Sequence, residues 1–208
     1  MQAPSKGRFL NQAEWDILHS VYQGTLPLRY RILITNGLGG GNRPFSIPTS
    51  AISVLTIPAA AQAAYTGLIT ANLGSLGDGL NKLSNATGFM GALALPSQLA
   101  GVVNLGYIVS VGSAAYSDMS VSHRALLVHE LAHVWQGSNS RSSTTYVANS
   151  VMNQCRSDLT IGGTTSAYDF TPGNNWRTYN AEQQASIIEK WYVDGMPTSG
   201  DLWPYIRD

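Results

Sequence analysis

The sequence has little charge and almost no cysteine. Charged residues make up 12% of the 208-residue chain, against about 25% in typical soluble domains. Lys+Arg and Asp+Glu number 12 each, so the formal net charge is zero. Proteins that bind nucleic acid normally carry a clustered basic excess, and we therefore expect no nucleic-acid partner. The single cysteine, Cys155, excludes an internal disulfide framework.

The sequence also lacks long apolar runs. Only Asp78 and Lys82 are charged between Arg43 and Asp118, a pattern that would suit either a membrane-active hairpin or a buried core. Prolines, glycines and polar residues keep both uncharged stretches below the roughly 18 consecutive apolar residues that a membrane span needs. We therefore expect a core rich in small residues and no membrane insertion.

The first fifteen residues contain Lys6 and Arg8 but no apolar core of a secretory signal behind them. We expect the chain either to stay in the cytoplasm or to be exported by a specialised secretion route.

Hydrophobic periodicity outlines the secondary structure. Asn11 is placed to cap a first helix, and Asn180 with Gln183 has the spacing of a capping box before a last helix. Gly24 and Gly137 are predicted to end helices. The pattern predicts helices over 9–23, 59–76, 122–136, 146–158 and 181–193, and strands over 30–35 and 105–112.

One motif carries chemistry. His129, Glu130 and His133 form an H-E-x-x-H pattern in the strongest predicted helix. Histidines four residues apart lie one turn above each other, so both imidazoles can reach one zinc ion. Glu130 points to a different side, where it can accept a proton from an activated water. With four histidines and four glutamates in the chain, about 0.0015 chance matches to this motif are expected.

A third ligand is needed, because catalytic zinc commonly has three protein ligands and one open position. No histidine follows His133, so the ligand must be a downstream carboxylate or Cys155. Glu182 is favoured, because the small Ala185 one turn later would let the last helix lie close to the motif helix. Glu189 is the next candidate for the third ligand, although it could instead be a solvated partner of Lys190 or of an arginine. The remaining alternatives are Asp158, Asp169 and Asp194.

The segment HELAHVWQ, followed about fifty residues later by NAEQQASII, resembles a bacterial zincin-like family with H-E-x-T-H-V-W-Q and N-x-E-Q-Q-A helices. That family is similar to the glutamate-type zincins, or gluzincins, including the lethal-factor-like peptidases. The runs AYDF at 167–170 and QAEWDILHSVYQGTLPLRYRILI at 12–34 also resemble it. Ala132 stands where the family commonly has threonine, and alanine is frequent at this position in zincins.

The resemblance implies a zinc metallopeptidase with His129, His133 and Glu182 as ligands and Glu130 as the base. It also implies a peptide or protein substrate and a partner in a bacterial secretion, toxin or contractile-injection apparatus. A non-catalytic zinc-binding docking module of such a system is the alternative. Zincins often stabilise the oxyanion with tyrosine or histidine, and Tyr168, in AYDF, is favoured over Tyr146, Tyr179 and His123.

We therefore predict an α+β, zincin-like metallopeptidase fold in a single domain over 1–208. Residues 1–120 would hold a sheet, a helix and an uncharged insertion, and residues 121–208 the metal-binding helices. A small mixed or antiparallel sheet, with strands 30–35 and 105–112, would pack on the H-E-x-x-H helix, and the C-terminal half would be mainly helical.

Overall fold

The computed structural model of the protein describes residues 2–39, 42–49, 63–64, 106–139 and 168–207. These residues form a mixed α+β structure. Its elements are β1 (Gly7–Phe9), α1 (Gln12–Tyr22), a 3-10 turn (Arg29–Arg31), β2 (Ile32–Thr35), β3 (Phe45–Pro48), β4 (Tyr107–Ser110), α2 (Gly112–Ala115), α3 (Met119–Ser122), α4 (Arg124–Asn139), a second 3-10 turn (Trp176–Thr178), α5 (Ala181–Val193) and α6 (Trp203–Arg207). The helix predicted over 146–158 and almost all of that over 59–76 lie outside the described residues.

The four strands form one small mixed sheet in the order β1-β2-β4-β3. The central strands β2 and β4 are parallel, with Ile32 opposite Tyr107 and Thr35 opposite Ser110. Both outer strands are antiparallel to their neighbours. The prediction that segments 30–35 and 105–112 belong to one sheet is therefore confirmed. Strands β1 and β3 were not predicted, because neither contains the run of adjacent aliphatic residues that marks β2 and β4 in the sequence.

The first helix begins where its capping residues predict. The Asn11 side chain accepts a hydrogen bond from the Glu14 amide at 2.8 Å, and the Glu14 carboxylate accepts one from the Asn11 amide at 3.0 Å. Glu14 is fully buried and also accepts hydrogen bonds from Arg8 on β1 and from the Met119 amide on α3. One buried carboxylate thus holds three elements together, and its burial is offset by donors on every side.

Helix α4 is the central element. It packs against α5, β3 and α1, and every residue from Leu127 to Val134 is buried. The Tyr22 hydroxyl of α1 donates to the Val128 carbonyl at 2.7 Å, which fixes α1 against the middle of α4. The predicted burial of this helix is confirmed.

The predicted end of α4 at Gly137 is wrong, because the helix continues to Asn139. A Cβ at position 137 would lie 2.8 Å from the Tyr107 hydroxyl oxygen. Glycine is therefore present at this position to let α4 approach β4 closely, and it does not end the helix. A glycine that serves packing and a glycine that ends a helix look alike in a sequence.

The helices of the described residues include none that is both long enough and apolar enough to cross a membrane.

Candidate metal centre

Helix α4 places both histidines of the motif side by side in the interior. Their rings lie 5.2 Å apart between centroids, in an edge-on arrangement. Both side chains are buried, as is Glu130 between them in the sequence. Burial on a helix that is itself packed on several sides restricts the rotamers of these residues, which is what a metal site requires of its ligands.

Helix α5 brings Glu182 to the same point. Asn180 and Gln183 form the predicted capping box, so Glu182 falls in the first turn of the helix. Ala185 is fully buried, as expected of a small residue that lets α5 approach α4. The Glu182 Oε2 atom lies 3.3 Å from His129 Nε2 and 3.4 Å from His133 Nε2.

His129, His133 and Glu182 thus form a buried group that could hold a metal ion. One ligand atom from each of the three lies within 4.8 Å of the others. The three residues come from two helices, and His129 and Glu182 are 53 residues apart in the chain.

The hydrogen bonds at the far side of each ring direct both Nε2 atoms inward. His129 Nδ1 lies 2.9 Å from Glu189 Oε2, and His133 Nδ1 lies 3.0 Å from Gln136 Oε1. Both partners are acceptors, so each Nδ1 carries a proton and donates. His133 Nε2 is buried and has no hydrogen-bond partner in the described structure. A buried imidazole lone pair aimed at a carboxylate fits a metal ligand better than a satisfied structural histidine.

Two of these supporting residues were not recognised in the sequence. Gln136 also donates from Nε2 to the Ala181 carbonyl at 3.1 Å and to Gln184 Oε1 at 2.9 Å, so it ties the second histidine to the start of α5. Glu189, the other glutamate considered as a ligand, is not a member of the His/His/Glu group but lies against the outer nitrogen of His129. It is not the partner of Lys190, which pairs with Asp194 at 3.0 Å.

The charge of the group favours a cation. Burial disfavours the imidazolium of His129, but hydrogen bonds to Glu182 and Glu189 and the charge of Glu130 outweigh it and raise its pKa to about 10. Burial likewise disfavours the Glu182 carboxylate, yet the two histidines beside it lower its pKa well below the usual range. A proton or a metal ion satisfies the same need for positive charge, so the two compete for the site.

Glu130 lies beside this group, and a residue outside the group holds its side chain. Its Oε2 atom accepts a hydrogen bond at 2.8 Å from the hydroxyl of Ser46 on β3. Burial raises the pKa of Glu130, while the two histidines and Ser46 act in the opposite direction. A carboxylate with a raised pKa and no place among the ligand atoms is suited to act as a proton acceptor. Ser46 lies 84 residues away in the chain and was not recognised in the sequence.

An open cleft gives access to these groups. It has a volume of about 260 Å³ and is lined by Arg43, Pro44, Leu126, His129, Glu130, Tyr168, Glu182 and Glu189. The Tyr168 ring lies 5.9 Å from the His129 ring. Burial and the nearby Glu182 charge raise the pKa of Tyr168, and a hydrogen bond from Arg43 partly opposes them. At neutral pH Tyr168 is therefore a neutral hydroxyl donor at the cleft.

The other sequence candidates fall elsewhere. The Tyr179 hydroxyl donates to the Thr171 carbonyl at 2.6 Å, and His123 lies between α3 and α4 and does not line the cleft. Asp169 and Asp194 are not members of the His/His/Glu group. Tyr146, Cys155 and Asp158 lie outside the described residues.

Comparison with known proteins finds no match: no family model fits the chain, and no curated protein or solved structure matches it.

Proposed function

We propose that the protein is a zinc-dependent peptidase with a zincin-like fold. The observation that carries the proposal is the convergence of two imidazole Nε2 atoms and one carboxylate oxygen, with a second buried carboxylate beside them that is not a ligand. A purely structural metal site has no need of that second carboxylate, Glu130. The open cleft along the group gives a substrate a route to it.

The donor set fits zinc. Two histidines and one glutamate are the protein ligands of a common class of catalytic zinc site, which keeps its fourth position open. Hard cations such as magnesium and calcium prefer an environment made of oxygen atoms. When bound, zinc would supply a Lewis acid that polarises a water molecule and a substrate carbonyl.

The side chains of the chain would supply the rest of the reaction. Glu130 would accept the proton of the attacking water and pass it to the leaving amine. Tyr168 would donate a hydrogen bond to the oxygen on which negative charge develops. Glu189 and Gln136 would hold the two histidines in the tautomer that leaves Nε2 available.

The arrangement of sheet and helix supports the zincin-like part of the proposal. The H-E-x-x-H helix lies next to β3, one of the two outer strands of the described sheet. An extended peptide can add to such an edge through main-chain hydrogen bonds. The substrate class proposed is therefore an extended segment of peptide or protein.

The test compares wild-type protein with Glu130→Gln, using purified zinc-loaded samples and a broad peptide library. Glu130→Gln should keep one zinc per chain, because Glu130 is not a ligand, and should lose about 10²–10⁴-fold in turnover. Asp16→Asn, which changes an exposed carboxylate on α1, is the control and should behave as wild type. Equal hydrolysis by Glu130→Gln and wild type would refute the assignment of the base. Full zinc occupancy with no hydrolysis of any peptide would favour the docking module.

A further inference from the structure

We propose that Ser46 is a positioning residue for Glu130. Its hydroxyl would hold the carboxylate against β3 so that one oxygen stays directed at the water from which it takes a proton. This role rests on the proposed peptidase function.

The geometry of the contact assigns the direction of the hydrogen bond. Ser46 Oγ lies 2.8 Å from Glu130 Oε2 and 3.0 Å from the Glu130 carbonyl oxygen. A hydroxyl has a single hydrogen, and the carboxylate is both nearer and the stronger acceptor. We therefore assign donation to Oε2, which leaves Oε1 for the proton of the water.

The Ser46 hydroxyl is a polar group on a strand whose neighbouring side chains are apolar. Side chains alternate between the two faces of a strand, so Ser46 faces opposite to its neighbours Phe45 and Ile47, and all three residues are buried. A buried hydroxyl facing a mostly apolar helix costs free energy unless it is hydrogen-bonded. The Glu130 carboxylate is the partner that makes serine acceptable there.

The register of β3 connects this side chain to the sheet edge. The Thr49 amide donates to the Gly106 carbonyl at 3.1 Å, and hydrogen-bonded pairs alternate along an antiparallel ladder. Phe45 and Ile47 therefore pair with β4, whereas the main-chain groups of Ser46 and Pro48 point away from it. Pro48 has no amide hydrogen to leave unpaired there, as is typical of an outer strand.

The main chain and the side chain of Ser46 would therefore both contribute to the proposed reaction. Its main chain lies on the outer side of β3, where an extended peptide would pair, and its side chain holds the base. The substrate and Glu130 would be held in a constant register by a single residue.

The kinetic test uses Ser46→Ala, which removes the donor, and Ser46→Thr, which keeps it. Ser46→Ala should lower kcat about 10–100-fold with KM and zinc affinity within twofold of wild type, and Ser46→Thr should recover most of the loss. Ser110→Ala is the matched control, since Ser110 is a buried serine on the adjacent strand whose hydroxyl bonds Thr35 at 2.8 Å. Its kcat should stay near the wild-type value. A Ser46→Ala enzyme with wild-type kcat would overturn the proposal.

A second readout does not depend on activity. Urea midpoints of zinc-free wild type, Ser46→Ala, Glu130→Ala and the double variant form a double-mutant cycle. Glu130→Ala is used because glutamine would keep an oxygen that accepts from Ser46. The hydrogen bond predicts non-additive shifts, with Ser46→Ala costing less when position 130 is alanine. Additive shifts would overturn the proposal, even if Ser46→Ala reduced activity. An inactive wild-type protein would contradict the proposed function, and the cycle would then decide on the Ser46 contact alone.

Discussion

Removing Glu189 should weaken zinc binding although Glu189 is not expected to touch the metal. Its Oε2 atom lies 2.9 Å from His129 Nδ1, so it holds the ring and makes the opposite nitrogen more basic. In Glu189→Ala the ring would lose both effects. A fully solvated Glu189, which the sequence also allowed, would instead predict that Glu189→Ala leaves zinc affinity nearly unchanged.

The magnitude follows from the contact. A hydrogen bond to a charged group contributes about 1.5–3 kcal/mol, and about 1.4 kcal/mol corresponds to a tenfold change in an equilibrium constant. Loss of a fully buried hydrogen bond of this kind would therefore lower the zinc affinity about 10–100-fold. The Glu189 side chain is 36% exposed, and solvent screening weakens its interaction. We therefore expect the lower end, about a tenfold loss.

Competition with a chromogenic zinc chelator at a pH near 7.5 measures the affinity. Asp194→Asn is the control on the same helix, because Asp194 pairs with the exposed Lys190. It should bind zinc as wild type does. Glu182→Ala should lose far more than Glu189→Ala, since it removes a ligand. Wild-type affinity in Glu189→Ala, or a larger loss there than in Glu182→Ala, would refute the reasoning.

Three further predictions follow from the same geometry. Tyr168→Phe should lower kcat about 10²-fold with zinc affinity unchanged, and a loss of zinc measured by metal analysis would contradict its role as a donor. The pKa of His129 is about 10, against 6.5 for the free side chain. The protonated His129 side chain therefore stabilises the zinc-free fold fully below about pH 6.5, and this contribution is lost as the pH rises. Thermal melts should show the zinc-free Tm falling from about pH 6.5 to about pH 10 and the increase in Tm caused by zinc growing over the same range, because the metal replaces a proton. An increase in Tm that does not change with pH would count against this. Gly137→Val should destabilise the fold by about 1–3 kcal/mol in urea unfolding through overlap with Tyr107, and unchanged stability would show that α4 and β4 are not held at this distance.

Local signals in the sequence were sufficient for the helices that carry the site. The capping residues Asn11 and Asn180 set the starts of α1 and α5 through contacts within four residues, and such contacts are visible in a short window of sequence. The spacing of His129 and His133 is likewise a property of one helix. The helix starts and the proximity of the two histidines could therefore be predicted without knowledge of the tertiary structure.

Contacts between distant segments could not be predicted in this way. Ser46 reaches Glu130 across 84 residues and Glu189 reaches His129 across 60, and nothing in the neighbourhood of either residue marks it. Gln136 is different, because its place three residues after His133 put it on the same helix face. The spacing of three residues could therefore have indicated, from the sequence alone, that Gln136 supports the His133 ring.

Whether zinc binds to these three side chains can be seen directly in an anomalous-scattering map of crystals of the purified protein, recorded on both sides of the zinc absorption edge. We expect one zinc peak per chain between His129 Nε2, His133 Nε2 and Glu182 Oε2, with Glu130 outside the ligand set. A peak at other residues, zinc ligated by Glu130, or no metal after saturation with zinc would contradict this expectation.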